Sequence, residues 1–196
     1  MTELSVIGKP LPMVDAREKV TGTADYTADL RHPRLHEAAI LRSPHAHARI
    51  LNIDASKALR LPGVKAALTG EDTPKILWGQ IYQEHYILAV GKVRFIGEEV
   101  AAVVATDADA AGEALGLIRV DYEPLAAVLE PEEAMKPDAP QVHEGQSNIV
   151  RDIRIDRGDI DAGFAAAHVV HEDTYETPYQ YQAYMEPRMA VAEFDG

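Results

Sequence analysis

The run Val-Ala-Ala-Val-Val-Ala at residues 100–105 limits what this chain can become more than any other stretch. Six consecutive apolar residues, half of them β-branched, suit a strand buried on both faces. Thr106-Asp107 follows as an N-cap, since a short side-chain oxygen can accept from the orphan N–H groups of a helix's first turn. Ala110, Ala111, Ala114, Leu115 and Ile118 then fall at i, i+1, i+4, i+5 and i+8, one face of a helix. Residues 118–122 return to a strand pattern that Pro124 ends. Strand, capped helix and strand between residues 97 and 123 predict an α/β (α+β) region, a mixed sheet with helices packed on it.

Shorter elements flank this unit. Residues 35–42 read as a buried strand that Ser43-Pro44 stops. Residues 48–53 read as a second strand, after which Asp54 caps a short helix over 55–61 and Pro62-Gly63 breaks it. Residues 63–70 form a third strand candidate, and 86–90 and 92–95 are short pieces around Gly91. Gly8, Pro10 and Pro12 make residues 7–22 an extended docking arm. The segment EPEEAMKPDAP at 130–140 is dominated by proline and acid, so it is a solvated connection with at most one helical turn, and the domain boundary is placed there. Beyond it, 148–155, 169–177 and 189–194 read as strands and 160–167 as a helix started by Gly158-Asp159. Asp195-Gly196 is a hairpin signal with no returning strand behind it, so the second domain is expected to be incomplete.

Composition narrows the function. With 19 Lys+Arg against 32 Asp+Glu, the net charge of −13 opposes binding to a phosphate backbone, and no stripe of basic residues offsets it. No apolar run approaches the ~20 residues that span a bilayer, and no secretory signal opens the chain, so a soluble, cytoplasmic protein is expected. Cysteine is absent. Disulfides, thiolate nucleophiles and cysteine-held iron–sulfur clusters are therefore excluded within these residues, and redox chemistry would need a bound cofactor or a partner.

Local motifs carry little chemistry by themselves. There is no glycine-rich phosphate loop, since Gly112 and Gly116 sit within the helix pattern, and no Gly-x-Ser-x-Gly elbow. His45 with His47, and His168 with His171, are paired histidines that could begin a metal site if carboxylates joined them; the plainer reading is a polar turn after Pro44 and a strand-entry pair. Glu98 and Glu99 could form a carboxylate pair, but neighbours on a strand point to opposite faces, so an exposed strand start is expected. The segment YQYQAY at 179–184, followed by Met185-Glu186-Pro187-Arg188, either lines a pocket for a planar ligand or forms a buried loop whose tyrosine hydroxyls satisfy backbone groups.

Six segments taken in order resemble one family, the molybdenum hydroxylases: xanthine dehydrogenase, aldehyde oxidase, carbon monoxide dehydrogenase and 4-hydroxybenzoyl-CoA reductase. They are VDAREKVTG at 14–22 with YTAD at 26–29, LRSPHAHARI at 41–50, GVKAALTG at 63–70, VRFIGEEVAAVVA at 93–105, IRVDYEPL at 118–125 and YMEP at 184–187. The resemblance is to the large, molybdopterin-binding subunit. It implies an a/b hammerhead domain with its N-terminal arm over residues 1–132, and a linker with the opening of a molybdopterin-binding domain over 133–196.

That subunit is several times longer, so the resemblance implies a fragment or a truncated gene product. It also implies oxidation of a carbon beside a heteroatom or carbonyl at a molybdenum centre, with a glutamate as general base. The substrate would be a small aromatic, aldehyde or heterocyclic compound. The family's cofactor loop and basic glutamate would lie past residue 196, so no catalytic, cofactor-binding or metal-binding residue is assigned here. With no cysteine, the iron–sulfur clusters and flavin of such an enzyme would sit on partner subunits. One departure stands out: Gln182, four residues before Glu186, replaces a histidine common in the family, which bears on the pocket wall and the substrate. The competing reading is a small non-catalytic binding or assembly module.

Overall fold

A computed structural model of the protein describes residues 5–79 and 82–194. Contacts divide the chain into two compact units, one of residues 34–158 and one of the residues up to 33 together with those from 159 on. The ordered elements are helix α1 (Ala16–Thr21), strands β1 (Glu37–Arg42), β2 (Ala48–Asp54), β3 (Val64–Thr69), β4 (Lys92–Val93) and β5 (Glu99–Ala105), helix α2 (Ala108–Leu117), strand β6 (Arg119–Pro124), and helices α3 (Pro131–Ala134) and α4 (Ile160–Ala166). Single 3-10 turns occupy Thr27–Asp29 and Ala58–Arg60.

The apolar run forms β5, the central strand of a sheet ordered β1-β5-β3. Val103 sits opposite Ala39 on one side and Ala67 on the other. A second sheet is ordered β4-β2-β6, with Arg49 opposite Glu123 and Ile53 opposite Val120. All of these pairings are antiparallel. The expected combination of strands and packed helices is therefore present, but the single mixed sheet resolves into two antiparallel ones. Helix α2 carries the chain from one sheet to the other, so β5 and β6 are not neighbours.

The helix begins where its cap was expected. Asp107 is extended, and its Oδ1 accepts from the Ala110 N–H at 2.9 Å. That bond, above all, holds the Asp107 carboxyl below the usual carboxylate range. Ala111, Ala114 and Ile118 are buried on the face the periodicity marks, and Ala114 and Ile118 pack with Ala58, Ala101 and Val103. Ala48, Ala89, Val93 and Val100 form a second cluster. Ile53 and Val120 pack against both clusters, which joins the two sheets through one core. β5 is buried at Val100, Ala101, Val103 and Ala105 and half-buried at Ala102 and Val104.

The close of β3 is equally tight. A Cβ on Gly70 would stand 2.4 Å from the Ala89 carbonyl oxygen, so only glycine lets these two backbones meet.

Several sequence expectations are corrected. β1 is an edge strand with Ile40 exposed, not a buried one, because only Ala39 and Leu41 gain partial cover. Residues 86–90 form no strand, and the helix expected over 55–61 shrinks to the 3-10 turn while Asp54 caps the Ser56 N–H at 2.9 Å. The proposed arm is helical over α1, where Lys19 pairs with Asp15 at 2.7 Å and Gly22, at φ 70°, closes the helix by donating to the Lys19 carbonyl. The linker contains the one short helix expected of it, α3, and Asp159 caps α4 through the Ala162 N–H at 2.9 Å.

Residues 148–155, 169–177 and 189–194 are not strands. Their apolar side chains, such as Ile153 and Val169, stay exposed. A strand needs a partner to satisfy its ladder, and no described segment pairs with these. Asn148 instead ties its loop locally, donating to the Ala134 and Pro140 carbonyls and accepting from the Val142 N–H.

Ile118→Ala is expected to cost about 2–5 kcal/mol of folding stability, with Leu115→Ala near the lower end because Leu115 is only half-buried. Gly70→Ala is expected to cost about 1–3 kcal/mol, since backbone must shift to admit the methyl group. Urea denaturation midpoints check all three, and an unchanged midpoint for Ile118→Ala would refute the packing of α2.

Candidate functional site

A concavity lies beside the β4-β2-β6 sheet. It is an open cleft of about 420 Å³ bounded in part by Arg49, Glu84, Lys92, Arg94, His143 and Glu144. Strand geometry places the cations: Arg49 projects from β2, Lys92 from β4, and Arg94 from the residue after β4. The far wall is the stretch around His143, held by polar contacts. Lys92 Nζ lies 3.2 Å from Glu144 Oε1, His143 Nε2 lies 3.4 Å from Glu84 Oε2, and the Tyr82 hydroxyl donates to the Val150 carbonyl at 2.6 Å. Arg49 pairs with Glu123 across the β2–β6 ladder.

Burial and charge tune the groups here. Burial, reinforced by the Arg94 charge, pushes His143 below the usual imidazole range despite the opposing pull of Glu84. Burial pushes the Glu98 carboxyl up, against the Arg94 backbone N–H that its Oε2 accepts. Glu98 is only 8% exposed, which overturns its expected place in an exposed strand start. Glu99 does turn the other way, pairing with Arg42 at 2.5 Å, so the two carboxylates do not act together.

The remaining motif residues are not brought together into a site. His45 stacks edge-on against Tyr122 with centroids 4.8 Å apart. His47 Nδ1 donates to the Ala126 carbonyl at 2.6 Å while its Nε2 is buried without a partner. His168 and His171 are exposed. Among the described residues no three His, Asp or Glu side chains converge as a metal site.

Tyr179 and Tyr181 are exposed, so residues 179–184 are not the buried loop expected; Gln182 and Glu186 are exposed as well. Tyr184 accepts from Arg188 Nη2 at 2.6 Å and stacks edge-on with Tyr181. Sequence reasoning missed the cleft, because Glu84, Lys92, Arg94 and His143 share no local pattern. The ion pair that joins Lys92 to Glu144 spans 52 residues of chain.

Residues 21–126 match the family described as aldehyde oxidase and xanthine dehydrogenase, a/b hammerhead domain, and residues 142–196 match the molybdopterin cofactor-binding domain. A probable xanthine dehydrogenase subunit of Bacillus subtilis (strain 168) is 37% identical over 195 residues, covering 97% of this chain and 26% of that protein. The nicotinate dehydrogenase large molybdopterin subunit of Eubacterium barkeri is also 37% identical, over 194 residues, covering 98% of this chain and 45% of that one. The solved aldehyde oxidoreductase from Desulfovibrio gigas superposes with a TM-score of 0.67 at 30% identity, over 81% of this chain and 19% of its own. The chain thus spans from about a quarter to under half of the curated relatives named here.

The described residues do not themselves fit a molybdopterin. A Cβ added at Gly145 or Gly158 would meet nothing within 4 Å, so neither glycine marks a cradle. From residue 149 on the described side chains are exposed, and the buried atoms left without a partner among the described residues, His47 Nε2 and Arg94 Nε, lie outside residues 142–196.

Glu98 gives a pH test with a definite sign. Its folded pKa is raised, so its contribution is fully present below the ordinary glutamate value and is lost as pH climbs through the raised one. The stability of the wild type relative to Glu98→Gln is therefore expected to fall over that window and then level off. Denaturation of both proteins along a pH series checks it, and a difference that stays flat or rises would refute the assignment.

Proposed function

The chain belongs to the aldehyde oxidase and xanthine dehydrogenase family, and on that premise we propose that it is the N-terminal part of the molybdopterin-binding subunit of a molybdenum-dependent hydroxylase or dehydrogenase. Residues 1–132 serve as the hammerhead domain with its arm, and residues 133–196 as the linker and the opening of the cofactor-binding domain. The observation that carries this reading is the order of the two family matches along one chain, with identity to large subunits sustained over nearly its full length.

The substrate is a small aromatic, aldehyde or heterocyclic molecule, and the molybdopterin supplies the redox chemistry when bound. This segment contributes framework rather than catalytic residues, a reading supported by a cleft bordered by ion pairs such as Lys92 with Glu144. With no cysteine in residues 1–196, no iron–sulfur cluster is held within them, and we place the clusters and the flavin on partner subunits. No helix among the described residues is long and apolar enough to cross a membrane.

The full-length protein, purified with its partners from cells supplied with molybdate, is expected to hold about one molybdenum and one pterin per large subunit. It should also reduce an artificial electron acceptor with an aldehyde, xanthine or nicotinate. Elemental analysis and pterin fluorescence check this. An assembled complex lacking both would overturn the reading and leave the assembly-module alternative.

A further inference from the structure

The cleft of residues 34–158 holds cations whose hydrogen-bonding capacity is unspent. Lys92 has a side chain only 13% exposed, yet its carboxylate partner Glu144 is 88% exposed and 3.2 Å away. Arg94 is 18% exposed, and its Nη1 stands 3.9 Å from Glu98 Oε1, beyond hydrogen-bond reach. Its Nη1 makes one long bond, to the Lys92 carbonyl at 3.4 Å, and its Nε is buried with no partner.

A guanidinium presents five donors in a planar fork, and a largely buried cation with open donors is costly until an anion meets it. Glu98 meets that charge only in part: its Oε1 makes an ion-pair contact at 3.9 Å without a hydrogen bond, and its Oε2 accepts from the Arg94 backbone N–H. Arg49, whose guanidinium is paired with Glu123, also borders the cleft, as does the Glu84 carboxylate.

We propose that this cleft binds a phosphate-type oxyanion between Lys92 and Arg94, with the exposed Glu144 carboxylate as an internal stand-in that the ligand displaces from Lys92. A phosphate group carries about two charges and three acceptor oxygens, enough to meet a guanidinium fork and an ammonium together, which a single carboxylate does not. The volume of about 420 Å³ leaves room for a phosphate borne on a larger molecule. The proposal is independent of the molybdenum reading, because every group in it lies on this chain.

Calorimetric titration of the full-length protein with inorganic pyrophosphate, at constant ionic strength set by chloride, tests it. Saturable binding is expected, weakened at least about tenfold by Lys92→Gln and strengthened about two- to fivefold by Glu144→Gln. Circular dichroism and melting confirm that each variant folds, and Glu144, being exposed, keeps the test available should Lys92→Gln unfold. No saturable binding, equal affinity in wild type and folded Lys92→Gln, or a Glu144→Gln protein that binds no tighter would overturn the proposal.

Discussion

Strand β5 is paired along both edges, and the rest of residues 34–158 is arranged around that constraint. A strand with two neighbours exposes no unpaired ladder groups, so its residues can all be apolar without creating an aggregating edge. Its face bearing Ala101 and Val103 packs with residues of α2, and Val100 joins the cluster of the second sheet. Ile53 on β2 and Val120 on β6 then touch both clusters, so the two small sheets share one interior. Neither three-stranded sheet would bury much apolar area without the other.

The start of β5 also sets the geometry near the cleft. The Ser43 N–H donates to the Glu98 carbonyl, and the Gly97 N–H donates to the Ser43 carbonyl. These bonds fix the turn just before the strand, from which the buried Glu98 side chain reaches the Arg94 backbone. The position of Arg94 is thereby tied to the register of the core strand. A polar cleft on an acidic protein is in this way held by the same backbone that builds the apolar interior.

Charge in this chain is distributed by distance along the sequence as well as by sign. Local pairs, such as Asp15 with Lys19 and Glu71 with Lys75, stabilise turns and helices one at a time and are exposed, so each contributes little. The pairs around the cleft instead connect segments far apart: Arg49 with Glu123, and Lys92 with Glu144. Their role is to fix where segments meet, and burial of Glu98 and His143 among them shifts both groups toward their neutral forms.

The sequence by itself determined the central strand, the Asp107-capped helix with its buried face, the strand after it, and the short helices α3 and α4. Each depends on periodicity or on a cap within a few residues, so the information lies in adjacent side chains. The ordered motifs were legible in the same way, and they sufficed to place the chain in its family. Tertiary structure alone decided that β5 and β6 lie in different sheets, because the choice of strand partner depends on which distant edges are free. It also decided that the apolar stretches after residue 148 remain without ladders, since a strand pattern is only a capacity to pair. The cleft was invisible for the same reason: Arg94 and Glu144 become neighbours through folding, and the burial that leaves Arg94 Nε unpartnered is a property of surrounding volume rather than of any local run of residues.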